Sequence, residues 1–531
     1  MEKTQKTSLQ QEVKVTQAAG IVALGNIASR VLGLVRGMVK SGLFGAGPHV
    51  DALNAALRVP NTLYDLLIGG MISSALIPVL SDYSVPERRE ELWRLLSLLA
   101  STTLLIMCVL VLLGEFLAPQ IVRLLVEGLA PSYQILAADL LRIVLPAVIF
   151  LSLASILSGV LYSLQRFTFP AFTAVIFNAG VVAVALLLGR RYGVRSMAYG
   201  LLVGSALQVA FQLPGLRDAQ LRFVIDLRHP ALRRIGRLYL PILVGLVVDT
   251  LAVFLSYNLA SRIGGGSISW MEYAAKIIQF PLGLVVTAVS IAILPTLSQQ
   301  ANLDDVAPFR TILAQGLRLV LTLIIPATIG LYVLASPIVA LSFEHGDFTP
   351  ADTAATAEAL RCALLGLLFA AVDQPLIFAF YARKDTLTPA WVGVGTTFLY
   401  VLMALTSWRL GILTLPILVL INSLKLTSHA LAMLALIRRR LGGLSNHGLW
   451  PLILKAALAS SVMAVVVRGT KRALEMIVLP GLLGELLVVG GAGGIGIAVY
   501  GLLALVLRVK EIHLLRAVVS DSLNHLTQHK H

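Results

Sequence analysis

Long runs of apolar residues, each closed by a short polar or basic stretch, recur from one end of the chain to the other. A helix needs about 20 such residues to cross ~30 Å of hydrocarbon. The hydropathy pattern predicts about fourteen spans, near 15–44, 52–80, 95–117, 139–164, 169–189, 196–216, 238–262, 270–297, 311–335, 355–381, 388–408, 412–437, 450–468 and 481–507. The stretches at 52–80 and 412–437 are open to a kink or a split. Pro60, Pro78, Pro281 and Pro295 are expected to kink their spans, which would serve either alternating access or plain packing. The pattern predicts an all-α, polytopic membrane protein.

Composition agrees: over 531 residues, 57% are hydrophobic and 13% charged, with a mean hydropathy of +0.87. The polar, mixed-charge opening MEKTQKTSLQQEVK does not read as a cleavable signal. Cys108 and Cys362 fall in apolar spans and read as small buried hydrophobes, with no disulfide or metal framework. The net charge of +15 first reports topology, because cytoplasmic loops hold Lys and Arg. The connection after span six holds Arg217, Arg222, Arg228, Arg233, Arg234 and Arg237, and the ends of other even-numbered spans agree. Arg190, Arg191 and Arg195 depart from the pattern, as do Arg468, Lys471 and Arg472. Both termini are therefore expected in the cytoplasm, and the basic balance is no argument for nucleic acid.

The basic connection suggests a join between two halves. The expected organisation is a cytoplasmic tail at 1–14, an N-lobe of spans one to six at 15–216, the connection at 217–237, a C-lobe of spans seven to twelve at 238–440, two extra spans at 441–510 and a tail at 511–531. A weak repeat supports the division. The second span runs ALNAALRVPNTLYDLLIGGMISSALIPVLSDY and the eighth MEYAAKIIQFPLGLVVTAVSIAILPTLSQQ. Each has a pair of alanines, a basic residue (Arg58, Lys276), an early proline and a closing Ile-Pro or Leu-Pro. Transporters are often built from such repeats.

Charge inside the spans carries the candidate chemistry. The first span holds Arg30, Arg36 and Lys40. Each charge inside a spanning helix costs roughly 2.5–3.5 kcal/mol on insertion scales, so such groups normally face a wet interior. A cationic first helix implies a cavity for an anion; the alternative is pairing with Asp51 or backbone carbonyls. Six residues separate Arg30 from Arg36, which sets them about 120° apart on an ideal helix unless Gly33 allows a bend. Asp249 and Asp373 lie at membrane depth and suit either a cation or proton that drives the cycle or helix–helix hydrogen bonds. Asp385 suits capping of the next helix or ion binding. His345 and His429 read as isolated and are assigned to no proton relay. No phosphate loop, zinc spacing or nucleophile–base pair is present, so a transporter is expected rather than an enzyme. The expected cofactor set is empty, with energy from a monovalent cation gradient, the membrane potential or downhill flux.

Three longer motifs then narrow the reading. Residues 29–61 (SRVLGLVRGMVKSGLFGAGPHVDALNAALRVPN), 200–216 (GLLVGSALQVAFQLPGL) and 342–390, with its FEHGDF and FYARKDTLTP elements, resemble the MurJ (MviN-type) lipid II flippases. That family belongs to the multidrug, oligosaccharidyl-lipid and polysaccharide exporter superfamily. The resemblance covers about residues 15–440. It implies a two-lobed helical bundle around a cationic cavity, which moves an undecaprenyl-diphosphate-linked wall precursor between leaflets of a bacterial inner membrane. It also implies lipid II or a related polyprenyl-diphosphate glycolipid as cargo, with cell-wall synthesis proteins as partners. By the same resemblance Arg30, Arg36, Asp51, Arg58 and Lys276 are substrate-binding; Asp249, Asp373 and Asp385 are candidates for ion coupling by their own positions alone. Arginine's planar fork suits pyrophosphate oxygens. Tyr64, Gly69 and Gln279 depart from charged family positions, which leaves open another lipid-linked glycan, a cation-coupled drug exporter of the same superfamily, and a non-transporting scaffold.

Overall fold

The computed structural model describes residues 2–66, 86–220, 222–226, 229–301, 305–444, 447–477 and 481–512, together with Leu76, Leu80 and Tyr83. The described residues are helical with no strand, and thirteen helices among them are long and apolar enough to cross a membrane. The expected second span begins as a helix at Pro48–Tyr64, and the rest of it, with Gly69 and Pro78, lies outside the described residues.

Packing sorts the chain into two compact units. One comprises 1–269 with His345–Phe348; the other comprises 270–344 and 349–531.

The first unit contains α1 (Glu2–Phe44), α2 (Pro48–Tyr64), α3 (Arg89–Leu125), α4 (Pro131–Val144), α5 (Ala147–Ser163), α6 (Thr168–Tyr192), α7 (Arg195–Gln212) and α8 (Pro230–Ile263). Prolines open α2 and α4 at positions whose N–H groups have no intrahelical partner in any case. Pro146, which has no N–H, separates α4 from α5, and the chain turns there through Val148 N–H to the Leu145 carbonyl. The expected span at 139–164 is thus two helices. Its core joins Leu92, Leu95, Leu96 and Leu99 of α3 to Ile156, Leu157, Val160 and Leu161 of α5. α1 lies along α6 so closely that a Cβ at Gly25 would meet the Ala171 backbone carbonyl at 2.3 Å. At its far end α1 meets the 345–348 segment, where Asp347 N–H donates to the Gly42 carbonyl at 3.1 Å. Gly346 there has φ +60°, and a Cβ would sit 1.9 Å from the Gly42 oxygen, so only glycine fits.

α9 (Ser267–Pro281) starts in the first unit and continues into the second, followed by a π turn at Leu282–Val286, α10 (Thr287–Gln300), α11 (Ala307–Val333), α12 (Ala335–Phe343), α13 (Pro350–Ala382), α14 (Leu387–Arg409), α15 (Leu415–Leu441), α16 (Leu449–Ile477) and α17 (Leu482–Val506). Thr349 caps α13 in a reciprocal capping box with Asp352. The expected split at 412–437 does not occur. α15 runs unbroken because its one proline, Pro416, sits in the first turn, and Gly442 (φ +76°) ends it. Pro60 and Pro295 lie inside continuous helices, whereas Pro281 is followed at once by the π turn. α13 packs on α15 and α11, and α16 packs on α17 and α11. Outward apolar residues such as Leu187 (80% exposed), Phe116 (78%) and Ile497 (76%) suit contact with lipid tails.

Candidate functional site

The cations of the first unit divide by environment. Lys40, near the end of α1, is 5% exposed and donates to Asn54 Oδ1 at 2.8 Å. Asn54 donates to Ser269 Oγ at 3.1 Å, and that hydroxyl donates to Asp51 Oδ1 at 2.6 Å. Asp51 is completely buried and also accepts from the Ser269 N–H (2.8 Å) and the Gly266 N–H (2.6 Å). Its two oxygens thus take three donors around the first turn of α9, with the Lys40 charge nearby. The alternative pairing of Asp51 with Arg30 or Arg36 finds no support in these bonds; backbone amides and a serine hold it. Nothing in the sequence signals this, since the partners lie 215 and 218 positions away.

Arg30 and Arg36 are both half-buried on α1, which continues as helix through Gly33. The Arg36 guanidinium stacks over Phe177 of α6, 5.6 Å from the ring centroid. Gly33 lies between the two arginines on the helix surface, and a Cβ there would meet nothing within 4 Å. The open space therefore lies on the surface that the two guanidiniums flank.

Arg58 on α2 is half-buried, and its Nε is buried with no hydrogen-bond partner. Asp65, two turns on, is close enough to interact with it electrostatically. A buried guanidinium N–H left unpaired is costly, and an anion would satisfy it. Tyr64, at a departure from the family's basic pattern, shares a 2.8 Å hydrogen bond with Ser155 of α5, so its hydroxyl ties two helices together.

In the second unit Lys276 is half-buried on α9 and Gln279 is exposed one turn on. The three acidic candidates separate. Asp249 on α8, in the first unit, is exposed. Asp385 accepts from the Thr388 N–H (2.9 Å) and hydroxyl (2.6 Å) at the start of α14, and pairs with Arg440. Burial pushes the Asp385 carboxyl up, but the Thr388 and Arg440 donors outweigh it and hold the group below the usual carboxylate range. This is the capping alternative. Asp373 on α13 is 9% exposed, and its Oδ1 lies 2.8 Å from His429 Nδ1 on α15. His429, expected to be isolated, is therefore paired. The 56 residues between the partners hide the pair from any local motif. Among the described residues no three His, Cys, Asp or Glu side chains gather as a metal site.

Residues 40–487 match the family described as lipid II flippase MurJ. Among curated relatives, the lipid II flippase MurJ of Burkholderia cenocepacia is 31% identical over 380 residues, covering 70% of this chain and 73% of that protein. The probable lipid II flippase MurJ of Vibrio cholerae is 31% identical over 411 residues, covering 75% and 78%. A solved lipid II flippase MurJ in an inward closed conformation superimposes with a TM-score of 0.77 at 26% identity, covering 92% of this chain and 98% of the other. An inward-facing multidrug transporter of the MATE family, in the MOP superfamily, gives a TM-score of 0.66 at 16% identity, covering 79% and 96%, which is a likeness of fold alone.

Proposed function

This chain belongs to the lipid II flippase MurJ family, and from that premise we propose that it carries lipid II across the bilayer by alternating access, gripping the pyrophosphate with Arg30, Arg36 and Arg58. It is a multi-pass membrane transporter and not an enzyme. The observation that carries the grip is Arg58, whose buried Nε lacks a hydrogen-bond partner. A diphosphate oxygen would supply that partner, and the open surface at Gly33 would let the same group approach Arg30 and Arg36. Asp51 serves in this proposal as a positioning residue for α1, α2 and the start of α9, with no direct contact to lipid.

Undecaprenyl-diphosphate carries a charge of opposite sign to these cations, and crossing unaided would strip that charge of water. A drug exporter for cationic cargo would want acidic groups instead. We place the protein in the bacterial plasma membrane with both termini cytoplasmic, working beside cell-wall synthesis proteins.

Native mass spectrometry of the purified protein with lipid II, against a phosphate-only polyprenyl competitor, tests the grip. Arg58→Ala and the Arg30→Ala/Arg36→Ala double variant should each lower the lipid II-bound fraction, roughly tenfold or more for charge-assisted bonds of this kind. Equal binding of both lipids, unchanged by the substitutions, would overturn it.

A further inference from the structure

A cavity of about 780 Å³ lies wholly within the second unit, and none of its residues is assigned to the cargo. Its walls are apolar, with Val289, Ala292 and Ile293 on α10 and Ala314 and Leu319 on α11. Both helices belong to stretches long and apolar enough to span a membrane. The polar part of the lining gathers around Arg318 and includes His447, Lys510 and Glu511. Lys510 and Glu511 come just after α17, and His447 lies in the connection between α15 and α16. Apolar walls thus run along spanning helices while the polar groups sit where spans end. That is the layout an amphiphile needs.

The polar groups are not satisfied by one another. Glu511 is 7% exposed; its Oε1 accepts from Arg318 Nε, while its Oε2 is buried with no hydrogen-bond partner among the described residues. His447 makes the same demand. The Thr311 hydroxyl donates to the Ala307 carbonyl at 2.9 Å, so toward His447 Nε2, 3.5 Å away, it can only accept. This network puts the ring hydrogen on Nε2 and leaves Nδ1 with a bare lone pair. That Nδ1 is also buried with no partner among the described residues. Arg318 holds the two residues together, since its Nη1 donates to the His447 carbonyl at 2.9 Å.

Two buried acceptors without donors are costly, and one group with several N–H bonds would serve both. A primary ammonium has three such bonds, and a quaternary ammonium has none. Beside them Lys510, exposed, adds a cation suited to a phosphate, while the Arg318 charge is already engaged by Glu511. The mouth therefore asks for a cationic donor and an anion on one molecule, with an apolar chain behind them.

We propose that this cavity binds a membrane phospholipid whose head carries both a phosphate and a primary ammonium, the phosphatidylethanolamine class. The ammonium donates to Glu511 Oε2 and His447 Nδ1, the phosphate meets Lys510, and an acyl chain lies along α10 and α11. So seated, the lipid ties α10 to the segment that follows α17. A polyprenyl diphosphate would bring the anion without the ammonium, and phosphatidylglycerol would bring hydroxyls but no cation for the carboxylate.

The test is native mass spectrometry of the delipidated full chain with dioleoyl phosphatidylethanolamine, phosphatidylcholine and phosphatidylglycerol at equal concentrations. No lipid II is present, so the outcome does not depend on the cargo reading. The ethanolamine lipid should bind the wild type roughly five- to tenfold better than the choline lipid, as one or two hydrogen bonds allow. Glu511→Gln keeps an oxygen for Arg318 and turns a donor toward the cavity, so the ratio should fall to about one. Lys510→Ala should weaken both lipids alike and leave the ratio standing. Ala292→Trp, made at an exposed position on α10, fills the cavity without disturbing Arg318 and should abolish the preference. Equal binding of the three lipids, a preference for phosphatidylglycerol, or a ratio untouched by Ala292→Trp would overturn the proposal. Displacement of the ethanolamine lipid by undecaprenyl phosphate would overturn it by giving the cavity to the cargo's tail. Displacement by soluble phosphoethanolamine at the same concentration would overturn it by making this a site for the head alone.

Discussion

Each unit buries a carboxylate beside a basic side chain, Asp51 in the first and Asp373 in the second, and these two are built differently. In the first unit Asp51 takes three donors, two of them backbone amides, and the neighbouring Lys40 is held by Asn54. Its surroundings are complete, with a donor on each carboxylate oxygen. In the second unit Asp373 pairs through one oxygen with His429 of a neighbouring helix. Complete satisfaction fixes a structure; a partial pairing constrains it less. The comparison teaches that burial and pairing alone do not say how firmly a carboxylate is held, and that the number and kind of its partners do.

Substitution should break this contrast most sharply at Asp51. Asp51→Ala leaves Lys40 without its counter-charge and two amides without acceptors. Removing one member of such a buried charged network costs about 3–5 kcal/mol. The purified variant should melt well below wild type or fail to accumulate in the membrane; a melting point within a degree or two would show that the network is dispensable. Asp373→Asn should cost far less, about 1 kcal/mol, because an amide can still face His429 and only one bond is at stake. Thermal unfolding of the two variants side by side measures the difference directly, and equal losses would erase it.

The smallest effect should come from Asp385, a third carboxylate with fixed partners but near the surface. Its pKa is depressed in the folded chain. Its contribution to stability is thus fully present above the ordinary carboxylate value and is lost as pH falls through the lower folded value. Melting points of wild type and Asp385→Asn should differ at neutral pH and converge below about pH 4. A constant gap across that range would count against a charge effect there.

Much of the fold was legible because spanning helices announce themselves by length and apolarity. Proline was a poorer guide. Pro416 starts α15 and Pro146 divides α4 from α5, while Pro60 and Pro295 pass without a break, since neighbouring helices support a proline inside a bundle. The charged residues on α1 and α2 were visible, but their division of labour was not. Lys40 differs from Arg36 only in what lies opposite, and the partners, Ser269 and Gly266 among them, come from a turn far along the chain. The Asp373–His429 pair was invisible for the same reason. Long-range pairing leaves no periodicity to read.

The π turn at Leu282–Val286 has a consequence for geometry. It holds one residue more than a regular turn would. Relative to an unbroken helix, that surplus rotates everything beyond it by about 100°. The face that carries Lys276 on α9 is thereby set independently of the face α10 turns to α11 and α13. Stored length of this kind can be handed along a helix without cutting any hydrogen-bonded segment loose. The span is thus two screws of separate phase joined by one spare residue.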